Sequence, residues 1–136
     1  MPKFLDTNVL IYAIGGEQFV PRKTLRAQEI LKAGDCAVSV QVLQEFYVQA
    51  TRESRAGAIA HAVAVDLIRA WSRFPVQPMS LETLHAALDI KARYRLSYWD
   101  AAIVAAAQSL NCETLFSEDM AHGMTIGATT IVNPFL

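Results

Sequence analysis

Four acidic side chains occupy separate parts of the chain, from which folding could bring them together. Asp6, Asp100 and Asp119 each lie where an apolar segment meets an expected helix start, and Glu45 lies inside an expected helix. Carboxylates that converge in one small domain repel each other unless a cation lies between them. Mg²⁺ and Mn²⁺ can fill that place because they prefer oxygen ligands. The four acids are a first indication of metal-dependent chemistry on phosphodiesters.

Two of these acids also have simpler interpretations. Asp6 could serve only as the N-cap of the helix that follows it, since aspartate is a favoured capping residue. Asn8 is close to it and could orient a carboxylate or a phosphate oxygen. Glu45 lies just past the edge of the apolar arc of its helix. A glutamate at such a border is usually a solvated flank, so neither residue identifies a site by itself.

The other two acids lie in the first turns of expected helices. Ser97 and Asp100 resemble a capping box, although glutamate or glutamine is the usual partner. The helix after Asp100 is apolar on nearly every side, so we expect it to be buried, and an acid at its start needs a partner or a cation. Glu118 and Asp119 follow Ser117 at positions where the helix dipole alone favours acids. Spacing does not settle which of these two faces a site.

The composition indicates one globular domain over residues 1–136. Hydrophobic residues make up 53% of the chain and charged residues 18%, which suits a packed core and excludes a disordered chain. The net charge of −1 provides no overall attraction to nucleic acid. The chain opens without a secretory segment, and its longest apolar run, 101–107, is too short to span a bilayer. We therefore expect no membrane association.

The cysteine and motif content excludes several kinds of site. Cys36 and Cys112 do not form a CxxC pair, which argues against a disulfide framework and a cysteine-based zinc site. A reducing cytoplasm is the expected compartment. The three histidines share no metal-ligand spacing, and the sequence has no glycine-rich phosphate loop and no GxSxG motif. A serine–histidine–carboxylate enzyme therefore has no support.

Apolar segments and helix signals alternate along the chain. Expected strands cover 3–5, 36–38, 74–78, 113–116 and 129–132. Expected helices cover 7–14, 22–33 after Pro21, 39–52, 56–73, 80–94 and 97–110, with a helical turn at 117–122. A stop is expected at Gly15–Gly16 and a loop at 17–20. This alternation predicts an α/β fold with a parallel sheet, in which ligands bind beyond the carboxyl ends of the strands.

The acids and their surroundings, taken in order, resemble the PIN-domain ribonucleases, and in particular the VapC-type toxins of bacterial toxin–antitoxin pairs. The segments that carry the resemblance are FLDTNVL at 4–10, SVQVLQEF at 39–46, SYWDA at 97–101, LFSEDM at 115–120 and VNPF at 132–135. Each motif is weak alone, whereas all of them in order are fairly specific. The resemblance extends over essentially the whole chain.

The resemblance implies a single-domain α/β/α sandwich with a short parallel sheet of four or five strands. It implies that Asp6, Glu45, Asp100 and Asp119 form the catalytic centre and bind Mg²⁺ or Mn²⁺, supported by Asn8 and Ser117. It also implies an RNA substrate, a small cognate antitoxin that blocks the site, and a homodimer. The reaction would be hydrolysis of an RNA phosphodiester by water that the metal activates.

Contacts to the RNA backbone must come from local basic groups, since the net charge is −1. The candidates among the local clusters of basic residues are Arg22, Lys23, Arg52 and Arg55. A solvated helix face is the simpler interpretation of each cluster.

Three other functions share parts of this pattern. A receiver-like signalling domain would need adjacent acids at the end of the first strand and a lysine late in the chain. Thr7 and Asn8 follow Asp6 instead, and no lysine lies beyond Lys91. A non-catalytic PIN-like interaction module could anchor partners through Trp71 or Trp99. A DNA-directed nuclease of the same fold would use the same acids. Nothing in the sequence reads a 2′-hydroxyl, so the preference for RNA rests on the family resemblance.

Overall fold

The computed structural model describes residues 2–15 and 20–136. The strands are β1 (Lys3–Leu5), β2 (Cys36–Ser39), β3 (Val76–Gln77), β4 (Thr114–Phe116), β5 (Thr125–Ile126) and β6 (Thr129–Val132). The helices are α1 (Thr7–Ile14), α2 (Pro21–Ala33), α3 (Val40–Ala50), α4 (His61–Trp71), α5 (Leu81–Tyr94) and α6 (Tyr98–Ser109). Most of the loop expected at 17–20, and the second glycine of the expected stop, lie outside the described residues.

The strands form one sheet in the order β3-β2-β1-β4-β6-β5. Strand β1 lies inside it and pairs in parallel with β2 and β4, with Leu5 opposite Phe116. The pairs β2–β3 and β4–β6 are also parallel, whereas β5 runs antiparallel to β6. The carboxyl ends of five strands therefore meet at one edge, where open α/β sheets bind ligands. The predicted parallel sheet is confirmed, and β5 extends it at one side.

Helices cover both faces of this sheet. The connections from β1 to β2 and from β2 to β3 step in one direction, and the connection from β3 to β4 returns in the other. Because such crossovers are right-handed, α1 to α4 lie on one face and α5 and α6 on the other. The packing agrees, since α1 contacts α2 and α3, α3 contacts α4, and α5 contacts α6. The fold is the predicted α/β/α sandwich.

Helix α6 is the buried helix of the fold and packs against β2, β3, β4 and β6. All residues from Ala101 to Ala107 are buried, and five of the seven are alanine, so the helix can approach the sheet closely. Phe4, Leu5 and Leu115 have no exposed surface and fill the centre. Within residues 2–15 and 20–136, no helix has both the length and the apolar character needed to cross a membrane.

Helix α4 begins at His61, whereas the alanine-rich sequence favoured a start at residue 56. The residues between α3 and α4 form turns, and Gly57 adopts φ +79°, which favours glycine. The buried Arg55 fastens this segment, because its guanidinium donates to the carbonyl oxygens of Gly57, at 3.0 Å, and of Gly15. These contacts hold the turns against the local helix preference.

The last part of the chain also differs from the prediction. Residues 117–122 are not the expected helical turn. Side chains take up the backbone N–H groups there: the Ser117 hydroxyl accepts from Asp119 at 3.2 Å, and the Asn8 carbonyl accepts from Glu118 at 3.3 Å. The unpredicted β5 returns into β6 through a tight turn at Gly127, which has φ +59°.

Candidate active site

Asp6 lies at the carboxyl end of β1 and caps helix α1. Its N–H donates to the carbonyl oxygen of Phe116 at 2.9 Å, which joins the ends of β1 and β4. Its Oδ1 accepts from the Thr7 N–H at 2.7 Å, and its Oδ2 accepts from the Ser117 hydroxyl at 2.7 Å. The side chain is buried, with 5% of the residue exposed. The capping interpretation is therefore correct, but capping uses only one of the two carboxylate oxygens.

Asn8 connects Asp6 to Asp119. Its Nδ2 donates to Asp119 Oδ2 at 3.1 Å and, more weakly, to Asp6 Oδ2 at 3.5 Å. Its Oδ1 accepts from the Glu118 N–H, while Ser117 accepts from the Asp119 N–H. One amide and one hydroxyl thus orient acids from the two ends of the chain. The structure brings Asn8 and Ser117 to the place where support for an acidic centre was expected.

Glu45 reaches the same region from helix α3, which Ser39 caps. Its Oε1 accepts from the Thr7 hydroxyl at 3.3 Å and from Gln41 Nε2 at 3.3 Å. The same Gln41 amide also donates to the carbonyl oxygen of Trp99 at 3.3 Å. Glu45 is therefore half-buried and held beside the residue that follows Asp6, rather than lying on a solvated flank.

Asp100 lies in the first turn of α6, directly after Trp99. Its N–H donates to the Ser97 hydroxyl at 3.1 Å, which confirms the predicted cap. Burial raises the pKa of this half-buried carboxyl, as does the negative charge of Asp119, and the hydrogen bond to Ser97 opposes both effects. The capping and acidic-centre interpretations of Asp100 are therefore compatible.

The acids influence one another electrostatically. Burial raises the pKa of Asp6 to about 6, the hydrogen bonds from Ser117 and Thr7 oppose the shift, and the charges of Asp119 and Asp100 add to it. Three carboxylates from distant parts of the chain therefore share one region of negative potential. A cation in this region would lower the pKa of Asp6, because it favours the ionised form.

The side chains offer carboxylate oxygen atoms, which are the ligands that Mg²⁺ and Mn²⁺ prefer. Across residues 2–15 and 20–136, no three histidine, cysteine or acidic side chains are drawn together tightly enough to hold a metal ion. Asp119 is exposed, whereas Asp6 is buried. The donor chemistry and the shared negative potential fit a hard divalent cation.

The proposed RNA contacts fare unequally. Arg55 is buried and donates to backbone oxygens, so its prediction as an RNA contact is wrong. Lys23 forms an ion pair with Glu118, and Arg22 donates to the Phe135 carbonyl oxygen at 2.6 Å. Arg52 is exposed and stays a candidate.

Sequence reasoning missed three contributors to this region. Thr7 and Gln41 both donate to Glu45, and the spacing of four residues between Gln41 and Glu45 on one helix was the available signal. Tyr12 was also missed, and its hydroxyl donates to Glu118 at 2.6 Å. That contact joins residues 106 positions apart, so no local sequence pattern predicts it.

Comparison with known protein families assigns the chain to one of them. The sequence pattern of the PIN domain matches residues 3–122. The chain belongs to the PIN domain family. The four acids all lie inside the matched region, and β5 and β6 follow it. No curated protein matches the chain in sequence.

Solved structures of bacterial toxins share this PIN fold. A toxin–antitoxin complex from Klebsiella pneumoniae is 23% identical with a TM-score of 0.71, over 97% of each chain. VapC20 of Mycobacterium tuberculosis, a toxin that cleaves the sarcin-ricin loop, is 20% identical with a TM-score of 0.66, over 86% of this chain and 91% of that one. VapBC2 from Rickettsia felis, bound to a fragment of promoter DNA, is 18% identical with a TM-score of 0.67, over 96% and 97%. At these identities the likeness establishes the fold.

Proposed function

We propose that this PIN domain is a metal-dependent endoribonuclease and the toxin of a toxin–antitoxin pair. The observation that carries the proposal is that Asp6, Asp100 and Asp119 are near enough at the carboxyl edge of the sheet to interact: burial raises the pKa of Asp6, and the charges of Asp119 and Asp100 add to that rise. Such an accumulation of acids is costly to a folded protein unless a cation offsets it. Family membership and the fold of the toxin neighbours support the same conclusion.

Each acid has a distinct part in the proposed reaction. When bound, Mg²⁺ or Mn²⁺ supplies a water of lowered pKa and neutralises charge on the phosphate. Asp6 and Asp100 would be the principal ligands, and Asp119 would complete the set. Glu45, held by Thr7 and Gln41, would bind the ion or position the attacking water.

The substrate and the protein partner are supported by the structural neighbours. VapC20 is a toxin that cleaves the sarcin-ricin loop, which favours RNA as the substrate here. The Klebsiella pneumoniae and Rickettsia felis structures are toxin–antitoxin assemblies, which favours a small antitoxin that covers the acidic edge of this domain. Arg52 is exposed and is proposed to contact the RNA backbone.

An apolar patch supports a homodimer. Leu81, Leu84 and Leu88 follow one another at helical spacing on α5 and are 67%, 38% and 47% exposed. Met79 and Trp99, 60% and 59% exposed, line the same groove as Leu81 and Leu84. We name these five residues the α5 patch. Contiguous exposed apolar surface of this kind marks an interface, and a second copy of the chain is the proposed occupant.

The proposed compartment is the cytoplasm. Cys36 and Cys112 are both free and buried. Burial raises the pKa of the Cys36 thiol to about 11, and burial also raises the pKa of the Cys112 thiol, so both are unreactive. This chemistry is compatible with a reducing environment.

End-mapped digestion of cellular RNA tests the proposal. We expect discrete new 5′ ends with Mg²⁺ or Mn²⁺ present and none with excess EDTA. Single-stranded DNA of the same sequence as a cleaved RNA site should remain intact. Cleavage of the DNA at an equal rate would replace the proposal with a DNA-directed nuclease, and no cleavage of either polymer would favour a non-catalytic interaction module.

A further inference from the structure

Three polar side chains beside the acidic edge have no part in the reaction described above. The Tyr12 hydroxyl donates to Glu118 Oε1 at 2.6 Å. The Lys23 ammonium forms an ion pair with Glu118 Oε2 and donates to the Tyr12 oxygen at 3.4 Å. We name Tyr12, Lys23 and Glu118 the Glu118 clamp. All three side chains are half-buried, and they come from α1, α2 and the segment after β4.

The Glu118 clamp packs against the C-terminal segment of the chain. The Lys23 ammonium lies 5.1 Å from the centroid of the Tyr12 ring and 6.0 Å from that of Phe135, and the two rings meet edge to face at 4.9 Å. Arg22 and Arg26 donate to the carbonyl oxygens of Phe135 and Pro134, at 2.6 Å and 3.2 Å, which ties the end of the chain to α2. The clamp is therefore braced by two helices and the C-terminal segment.

The charges of the clamp satisfy each other. Burial acts to raise the pKa of Glu118, but the hydrogen bonds from Lys23 and Tyr12 outweigh it and leave this pKa lowered. Both carboxylate oxygens already accept hydrogen bonds from protein side chains. Glu118 is thus occupied within the protein, and so is the ammonium group of Lys23.

The clamp borders directly on the acidic centre. Glu118 stands between Ser117, which donates to Asp6, and Asp119, which accepts from Asn8. Apart from the Ser117 N–H, which donates to the Val132 carbonyl oxygen at 3.0 Å, the segment from 117 to 120 belongs to no helix or strand. Its geometry therefore depends on side-chain contacts, of which those of the clamp involve a full ion pair. Fixing Glu118 limits the directions in which the exposed Asp119 can point.

We propose that Tyr12 and Lys23 are positioning residues that hold Glu118 and thereby keep the Asp119 carboxylate on the side of Asp6, where it would help to hold a divalent cation. This assigns Lys23 to the protein interior of the site rather than to an RNA phosphate. The inference rests on the proposed function, since it names what orders one acid of that centre. Partners that orient a ligand in this way typically change metal affinity or activity by about 10–100-fold when removed.

Substitutions of Lys23 test the inference, with a matched control. Lys23→Met breaks the ion pair, and Lys23→Arg keeps a cation near Glu118. Lys3→Met removes the ion pair between Lys3 and Asp35, which lies at the start of β1, opposite the acidic edge. Three quantities are compared with those of the unaltered protein: amide hydrogen exchange at Glu118 and Asp119 without metal, the Mn²⁺ concentration for half-maximal cleavage, and the affinity for an RNA oligonucleotide in EDTA.

We expect Lys23→Met to exchange its Glu118 and Asp119 amides at least about tenfold faster and to need about tenfold more Mn²⁺. Its RNA affinity in EDTA should stay within about twofold, because a phosphate contact is not lost. Lys23→Arg should bring both quantities most of the way back to those of the unaltered protein, and Lys3→Met should change neither quantity. Tyr12→Phe, which keeps the ring on Phe135 but loses the hydroxyl, should shift exchange and Mn²⁺ requirement in the same direction by less.

Two results would overturn the inference while leaving the nuclease intact. One is unchanged amide exchange and Mn²⁺ requirement in Lys23→Met. The other is weaker RNA binding with a lower salt dependence, since that result would make Lys23 a phosphate contact. Absence of metal-dependent cleavage by the unaltered protein would instead remove the proposed function, and the exchange rates at residues 118 and 119 would still report whether the clamp orders them.

Discussion

Asp6 combines two demands that a single carboxylate can meet. As the cap of α1 it needs an oxygen acceptor, and asparagine caps a helix about as well. As a member of the acidic centre it needs a negative charge, which burial and the charges of Asp119 and Asp100 make unfavourable without a cation. Replacing the charge while keeping the shape therefore separates the two roles.

We expect Asp6→Asn and Asp100→Asn to keep the fold and to lose Mg²⁺-dependent RNA cleavage. Their melting temperatures in EDTA should be unchanged or higher than that of the unaltered protein, because repulsion among the acids is relieved. Circular dichroism melting and a cleavage assay on the same preparations provide the test. Normal cleavage by both variants would exclude the acidic centre as the site of reaction.

The raised pKa of Asp6 predicts a dependence of stability on pH. The pKa of about 6 in the folded protein exceeds the ordinary value of 3.8, so the unfolded chain loses this proton first as the pH rises. The stabilising contribution of the protonated carboxyl is complete below about pH 4 and is lost as the pH passes about 6. The shift corresponds to about 3 kcal/mol at most.

The difference between Asp6→Asn and the unaltered protein isolates this effect from other titrating groups. In EDTA, the variant should gain stability relative to the unaltered protein as the pH is raised from about 4 to about 7. Urea unfolding at several pH values measures the difference. A difference that stays constant, or that shrinks with rising pH, contradicts the raised pKa.

Individual residues were predictable where a local pattern exposed them. Asp6 stands at the end of a strand and Asp100 in the first turn of a helix, and the structure places them near enough for their charges to interact. The orientation of Glu118 could not be predicted, because it depends on Tyr12 and Lys23 from two distant helices. Burial of Arg55 was equally hidden, since the oxygen of Gly15 that it meets lies 40 positions away.

Caps position the helices that carry the acids. Ser97 caps α6 by accepting from the Asp100 N–H, and Ser80 caps α5 by accepting from the Thr83 N–H, each at 3.1 Å, and both serines are exposed. We expect Ser97→Ala and Ser80→Ala each to lower the free energy of unfolding by about 1 kcal/mol. Ser97→Ala should also lower cleavage, because the Ser97 side chain lowers the pKa of the Asp100 carboxyl by hydrogen bonding, and this pKa rises further when the side chain is removed.

Parallel measurements of urea unfolding and cleavage rate on these two variants check the prediction. Ser80→Ala is the control, with reduced stability and unaltered cleavage. Equal cleavage by both variants would show that the cap of α6 supports the helix without tuning Asp100.

Element positions followed from sequence where capping residues and apolar runs agreed. Helix α1, the cap of α3 at Ser39 and the end of α5 at Tyr94 are confirmed. The predicted start of α4 was wrong because the alanine content favours a helix, whereas Arg55 holds the preceding residues in turns through distant contacts. Strand β5 was missed because two residues carry too little periodicity.

At the scale of the whole molecule, the sheet order gathers distant segments at one edge. Strands β1 and β4 are neighbours although they lie over 100 residues apart, which brings Asp6 next to Ser117. The α5 patch, by contrast, faces solvent in a single chain. The proposed function assigns chemistry to the acidic edge and self-association to the apolar patch.

We expect Leu81→Glu in the α5 patch to convert a dimer into a monomer without loss of folding, because this side chain is 67% exposed in the single chain. Leu25→Glu is the matched control, since Leu25 is 61% exposed on α2. Sedimentation velocity measures the mass of each variant. A Leu81→Glu protein that remains dimeric, or an unaltered protein that is already monomeric, would contradict the proposed interface.

The proposed function requires the acids at the sheet edge to bind a divalent cation. Isothermal titration of Mn²⁺ into the metal-free protein, compared with Asp6→Asn and Asp100→Asn, tests it most directly. We predict saturable binding to the unaltered protein and at least about tenfold weaker binding to either variant. Equal Mn²⁺ affinity in all three proteins, or no saturable binding to the unaltered one, would contradict the claim.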